Sequence, residues 1–384
     1  MSTLRKLEVY RTSIPMRSFE HAAAGRDLSE CILVRLELSD GVSGWGETLP
    51  REYVTGETLE SVPADIESEL LPILRDGQVE RLRPDDYPTR SADGRCIQAA
   101  VAAVDLAWVD CMARAGLRVS DLLGVGTREG IPREIRTRIT GVLGSSDAGK
   151  TAKRLRLMRL GRLRDFKLKL GLGEDVDRAN LDLVAGKLRR SLRSGKCTLR
   201  VDVNGAWDAD STPDRVEELA SLGVIAVEQP VFCGAAELAE LAGRCSLPLL
   251  ADESLLTAED AELLAERPGH VWWNVRISKN GGPRRANDLL NLAAERGVTV
   301  SNGCMVGETS LLSAAQRHLL VGHPEVRFAE GNYGRWLLSE DVTDRSLRFG
   351  LGGRLKLPRG DGLGVTVDDE RLSRLGRRVV SFAV

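Results

Sequence analysis

Apolar and polar positions alternate with a period of two over residues 4–14 and again over 31–39, the pattern of half-buried strands. The second run meets Ser39-Asp40-Gly41, a hairpin signal, and residues 42–47 return as a third strand. Between the first two runs, residues 14–28 form an Ala- and Gly-rich stretch that reads as a loop. The period then changes. Residues 57–75 read as a helix, and 96–116 as an alanine-rich helix that stops at Gly116. Its Asp105 and Asp110 read as facing solvent or partners in the same domain.

From residue 132 onward, short β-prone runs alternate with helical ones. Strands are expected at 138–142, 166–170, 201–204, 224–228 and 248–252, a strand and turn at 272–282, a strand and loop at 298–308, and a last strand at 326–334. Helices are expected at 147–161, 174–193, 213–222, 235–243 and 310–320. Such alternation predicts an α/β fold with a parallel sheet and right-handed crossovers.

Chemistry concentrates at the ends of these strands. Asp202, Glu228 and Asp252 are spaced by 26 and 24 residues, about the length of one βα unit. Equal spacing predicts the three carboxylates at one height on consecutive strands. Hard oxygen ligands with no His or Cys beside them favour Mg²⁺ over zinc or copper. One strand earlier stand Lys167 and Lys169. Lysine is scarce here, nine residues against forty-five arginines among the 54 basic residues, so the pair stands out. At i and i+2 on a strand both side chains share one face. A lysine, unlike an arginine, can be tuned to lose its proton near neutral pH, and mutual repulsion pushes a lysine pair that way. Taken alone, the pair also fits a solvated edge strand.

Lys-x-Lys followed by Asp, Glu and Asp on the next three strands resembles the enolase superfamily, in its muconate lactonizing enzyme subgroup. Arg51-x-Tyr53-x-Thr55-Gly56-Glu57 after a Gly-x-Gly-Glu turn, Asp121-Leu122-Leu123-Gly124, Val201-Asp202-Val203-Asn204, and Gly350-Leu351-Gly352-Gly353 extend the resemblance over nearly the whole chain. It implies a (β/α)7β TIM-type barrel over 131–344, an α+β capping domain over 1–130, and a C-terminal segment, 345–384, that returns onto the cap. It further implies Mg²⁺, with Mn²⁺ as a substitute, held by Asp202, Glu228 and Asp252. Lys169 would be the acid/base, and Lys167 would stabilise the enolate and lower the pKa of Lys169. The small carboxylate substrate would meet Thr140, Glu330, and His21 and Arg26 of the 14–28 loop. One position departs from the subgroup. Its usual Lys is replaced by Arg276, which cannot readily serve as a base but can hold a carboxylate and stabilise charge. Lys279 lies three residues further on, where the strand face reverses.

The resemblance therefore implies a one-base cycloisomerase or lyase (dehydratase). A racemase or epimerase of an amino-acid derivative or dipeptide, and a metal-binding protein without catalysis, are the alternatives. With 54 basic against 56 acidic residues nothing favours nucleic acid or an anionic membrane as partner. Seven scattered cysteines, without metal-like spacing, and the absence of a long uncharged apolar run predict a cytoplasmic protein with no membrane association. A homo-oligomer is expected.

Overall fold

The computed structural model describes residues 2–21, 24–76, 79–125 and 135–383, and the side chains of 18–26 lie outside that description. Strands β1 (Leu4–His21), β2 (Ala24–Leu38) and β3 (Ser43–Thr48) form an antiparallel sheet. The 14–28 stretch expected as a loop is largely strand: β1 and β2 stay paired at Pro15–Leu28 and again from Phe19–Arg26 to His21–Ala24. The pairing skips residues 16–18. Pro15 has no N–H to give the ladder, and Met16 and Arg17 turn to a different partner: Met16 bridges Leu338, and Arg17 N–H donates to the Leu337 carbonyl at 2.8 Å. The ribbon thus leans on residues 337–338 of the second domain.

The alanine-rich helix, Gln98–Arg114, lies on β3. The approach is so close that a Cβ at Gly46 would fall 1.9 Å from the Ala103 carbonyl oxygen, and one at Gly44 2.2 Å from the Cys111 nitrogen. Small residues on both surfaces therefore set the spacing. Asp105 and Asp110 do not face solvent; both are buried. Asp110 accepts from the N–H groups of Trp45 and Leu363, each at 2.9 Å, and pairs with Arg114. Asp105 pairs with Arg284 at 2.6 Å, on the second domain. A buried carboxylate needs such partners; Asp110 finds its own in the cap and the C-terminal return, and the Asp105–Arg284 pair ties the two domains together.

The second sheet is parallel throughout: β4 (Gly141–Leu143), β5 (Asp165–Lys169), β6 (Thr198–Asp202), β7 (Val227–Glu228), β8 (Leu249–Ala251), β9 (Val271–Val275), β10 (Val300–Asn302) and β11 (Phe328–Ala329). Helices follow each of the first seven, from Ala148–Leu160 to Ser310–Gly322. A parallel bridge between Ile139 and Ala329, with Thr140 N–H on the Ala329 carbonyl at 2.7 Å, closes the ring. This is the (β/α)7β barrel. Outward residues such as Phe166, Leu168, Val201 and Trp273 are buried in the main core with the helices. Inside the barrel, Ala226, Leu250, Trp272 and Phe328 form a separate apolar plug. Ala226, Leu250 and Phe328 each precede an ionisable residue by two positions along the chain, so that charge stacks one layer above them.

β12 (Gly376–Ala383) pairs antiparallel with β1 and completes a sheet of order β12-β1-β2-β3. Before reaching it, the chain touches the barrel, where the Gly353 carbonyl accepts from Ile139 N–H at 3.0 Å. The domain boundary expected near residue 130 lies outside the described residues. No helix among the described residues is long and apolar enough to cross a membrane.

Candidate active site

Lys167 and Lys169 point into the barrel from β5, and the register runs Lys169–Asp202–Glu228 across β5, β6 and β7. The partner of Glu228 on β8 is Leu250, so Asp252 sits two residues higher rather than at the same height. The chain bends there because Gln229 Oε1 accepts from the N–H groups of Asp252 at 2.9 Å and Ser254 at 3.2 Å. Arg276 is the first residue past β9.

All of these groups are buried, and each carboxylate is matched by a cation of the chain. Lys167 Nζ lies 2.6 Å from Glu330, 3.1 Å from Glu228 and 3.2 Å from Asp202. Lys169 Nζ lies 2.6 Å from Asp202 Oδ2 and donates to Asn204 Oδ1 at 2.9 Å. Arg276 contacts Asp252 and lies 3.5 Å from Glu228. Arg200 reaches Glu330 at 3.1 Å and stacks over Phe328 at 4.3 Å.

The charges set the protonation states. Burial favours the neutral form of Lys167, but the carboxylates of Glu228, Glu330 and Asp202 outweigh it and raise its pKa, the reverse of the direction a lysine pair alone suggests. Burial likewise opposes ionisation of Asp202, yet Lys169 and Lys167 hold its carboxyl well below the usual range. Burial, and then the charge of Asp202, pushes Glu228 up to about 8.

The donor set fits a divalent cation. Three hard carboxylates stand on neighbouring strand ends, and the buried Asp252 Oδ1 and Glu253 Oε2 have no hydrogen-bond partner. As placed, the carboxylates are drawn to lysines and arginine, and no preformed metal cluster exists among the described residues.

Above the charged layer lies a cavity of about 530 Å³, lined at its base by Lys167, Lys169, Arg276 and Glu330 and from the cap by Arg17 and Tyr53. Thr140 does not line it; its hydroxyl accepts from Arg200 Nη2 at 3.2 Å, beneath the charged layer. Lys279 is fully buried outside it and donates to the Asp252 and Leu255 carbonyls at 2.8 and 2.5 Å. The side chains of His21 and Arg26 lie outside the described residues.

Sequence reasoning missed Arg200, Asn204, Asn274 and Glu308. Arg200 and Asn274 lie two residues before Asp202 and Arg276, so the period-two rule that singled out the lysine pair also points to them. Asn274 Nδ2 donates to Glu228 at 2.8 Å. Asn204 stands in a signature already noted, with a left-handed φ of 47°. Glu308 lines the cavity with its carboxyl pushed up to about 8 by burial, and nothing in the local sequence marks it.

Residues 5–124 match the mandelate racemase / muconate lactonizing enzyme N-terminal domain, and residues 150–371 match the enolase C-terminal domain-like family. Muconate cycloisomerase 1 of Rhodococcus opacus is 30% identical over 361 residues, 92% of each chain. The L-Lys-D/L-Arg epimerase of Methylococcus capsulatus is 28% identical over 341 residues, 88% of this chain and 91% of the other. Among solved structures, the muconate lactonizing enzyme of Pseudomonas fluorescens complexed with muconolactone superposes with a TM-score of 0.84 at 27% identity, over 98% of this chain and 100% of that one. The chain therefore belongs to the mandelate racemase / muconate lactonizing enzyme family of the enolase superfamily, and it is an isomerase or lyase of that superfamily.

Proposed function

We propose that the protein removes a proton alpha to a carboxylate with a single base, Lys169, and completes a cycloisomerisation or an elimination of the dehydratase type. The carrying observation is the asymmetry of the cavity base. An amine, Lys169, lines one side, and a guanidinium, Arg276, occupies the position where a second amine is usual. Asp202, Glu228 and Asp252 would hold Mg²⁺, or Mn²⁺ in its place, whose charge offsets that of the developing enolate.

The chain's own groups do the rest. Asp202 holds Lys169 Nζ at 2.6 Å, at the base of the cavity where the substrate carboxylate would lie. Asn204 keeps the amine aimed through its 2.9 Å hydrogen bond. Lys167, held cationic by three carboxylates, supplies fixed positive charge beside the substrate carboxylate. Arg276 offers planar donors to the same carboxylate or to the enolate oxygen. Glu330, fixed by Lys167 and Arg200, closes the base of the cavity. In an elimination Lys169 takes the α-proton and passes it to the departing β-group on the same face; in a cycloisomerisation a nucleophile of the substrate itself adds to the conjugated double bond and Lys169 protonates the resulting enolate carbon on that face, so that either reaction is syn.

A racemase needs a second acid/base on the opposite face. Lys279 does not supply it, because its ammonium is spent on two backbone carbonyls away from the cavity. In the same reading the enzyme works in the cytoplasm, where its seven free cysteines stay reduced. Incubating a carboxylate substrate in deuterium oxide and following its α-hydrogen by NMR tests the proposal. One enantiomer should exchange, and exchange of both at similar rates would rule out a single base.

A further inference from the structure

The cavity is larger and less polar than a small diacid requires. Its 530 Å³ falls within the roughly 300–1,000 Å³ of clefts that bury drug-sized ligands, well above the needs of a six-carbon dicarboxylate. The lining away from the charged base is largely apolar. Leu157, Met158 and Leu163, on and after the helix Ala148–Leu160, form one wall, and Trp336, Leu338 and Phe349, from the chain after β11, form the other.

This side chamber is built. Met158 and Leu163 are held against β4: a Cβ on Gly141 would fall 2.7 Å from Met158 Sδ and 3.2 Å from Leu163 Cδ2, and Val142, the next residue of the strand, lines the cavity. Phe349 stands edge-on to Trp336 at 4.6 Å and to Tyr333 at 5.3 Å, which fixes the aromatic wall. The Tyr333 hydroxyl ties that wall to β4, accepting from Val142 N–H at 3.2 Å and donating to the Thr140 carbonyl at 3.3 Å. At the outer rim Leu157 and Trp336 remain 57% and 41% exposed. Large apolar side chains converging on a cavity and left wet at its rim mark a surface that gains by being covered.

We infer that the substrate is a carboxylate bearing an aryl-sized apolar arm, with the carboxylate at the charged base and the arm in the chamber between Leu157–Leu163 and Trp336–Phe349. The inference rests on the proposed reading of the charged base as the site of proton abstraction. It adds a subsite whose ligand chemistry is apolar and which selects among carboxylates by the arm they carry.

The test uses the full chain with Mg²⁺ and calorimetric titration of two probe series. One is phenylacetate to 5-phenylvalerate; the other is succinate to adipate. Affinity in the aryl series should rise about fourfold per methylene until the arm fills the chamber, and should pass that of the diacids. Leu157→Glu, at an exposed rim position, should lower the ratio of 5-phenylvalerate to adipate affinity at least tenfold. Trp336→Gln should lower it as well, and thermal unfolding of both variants should stay cooperative. A flat aryl series, tighter binding of the diacids, or an unchanged ratio in both variants would overturn the inference. Deuterium exchange at the α-carbon of each bound probe separates the two claims. Length-dependent binding without exchange upholds the chamber and sinks the proton-abstraction reading, whereas exchange without length dependence does the opposite.

Discussion

Replacing Lys167 with methionine keeps most of the side-chain stem and deletes one buried charge. That charge sits 2.6 Å from Glu330, 3.1 Å from Glu228 and 3.2 Å from Asp202, in a position 1% exposed. Breaking a buried ion pair by removing one partner costs about 3–5 kcal/mol. The carboxylates have an escape, because one of them can bind a proton. Glu228 already stands near 8 through burial and the charge of Asp202, and losing Lys167 pushes it further up. A carboxyl whose folded pKa is raised binds a proton that the unfolded chain releases near the ordinary value of 4.5. Stability is therefore greatest below that value and falls as pH rises toward the folded value, by up to about 1.4 kcal/mol per pH unit per group. The metal-free Lys167→Met protein should accordingly lose about 3–5 kcal/mol at pH 9 and less at pH 6. Mg²⁺ should restore more stability to the variant than it adds to the parent, about 2.7 kcal/mol at a hundredfold excess over its dissociation constant. Urea denaturation followed by circular dichroism, at both pH values and with and without Mg²⁺, measures each quantity. A variant within about 1 kcal/mol of the parent at pH 9, or one that suffers more at pH 6, would refute the charge accounting.

Other consequences follow from the same geometry. Asp202→Asn, Glu228→Gln and Asp252→Asn should each weaken Mg²⁺ binding in calorimetry, and unchanged affinity in all three would remove them as ligands. Arg276→Ala should slow turnover by at most about 3–4 kcal/mol of lost charge stabilisation, read as kcat/KM. Arg276→Lys places a titratable amine opposite Lys169 and should gain slow epimerisation, visible as loss of optical rotation, of a substrate the parent only eliminates or cyclises. Gly46→Ala forces a Cβ to within 1.9 Å of the Ala103 carbonyl and should cost about 1–3 kcal/mol or more in urea denaturation, without altering the Mg²⁺ affinity of the folded fraction.

Period and spacing carried the barrel well. The helix Glu174–Arg193 begins and ends where its polar periodicity does, and the Lys-x-Lys run lands on one inward face of β5. What the sequence hid was set by contacts between distant segments. The 14–28 ribbon exists because Met16 and Arg17 bond to residues 337–338, more than 300 positions away. Asp252 rises above Glu228 because Gln229 captures the backbone beyond β8, which equal spacing along the chain does not record. The direction of the Lys167 shift depends on which of two influences is nearer, a second lysine or three carboxylates, and only the distances decide it. Thr140 reads as a substrate contact on its strand, but the buried Arg200, two residues below Asp202, claims its hydroxyl.

The central claim is that Lys169 alone moves the proton at the α-carbon. The most direct measurement is deuterium incorporation from solvent into each enantiomer of a carboxylate substrate, by the parent and by Lys169→Ala, in the presence of Mg²⁺. The account predicts exchange of one enantiomer by the parent and none of either by Lys169→Ala. Exchange of both enantiomers by the parent, or persistent exchange in Lys169→Ala, would contradict it.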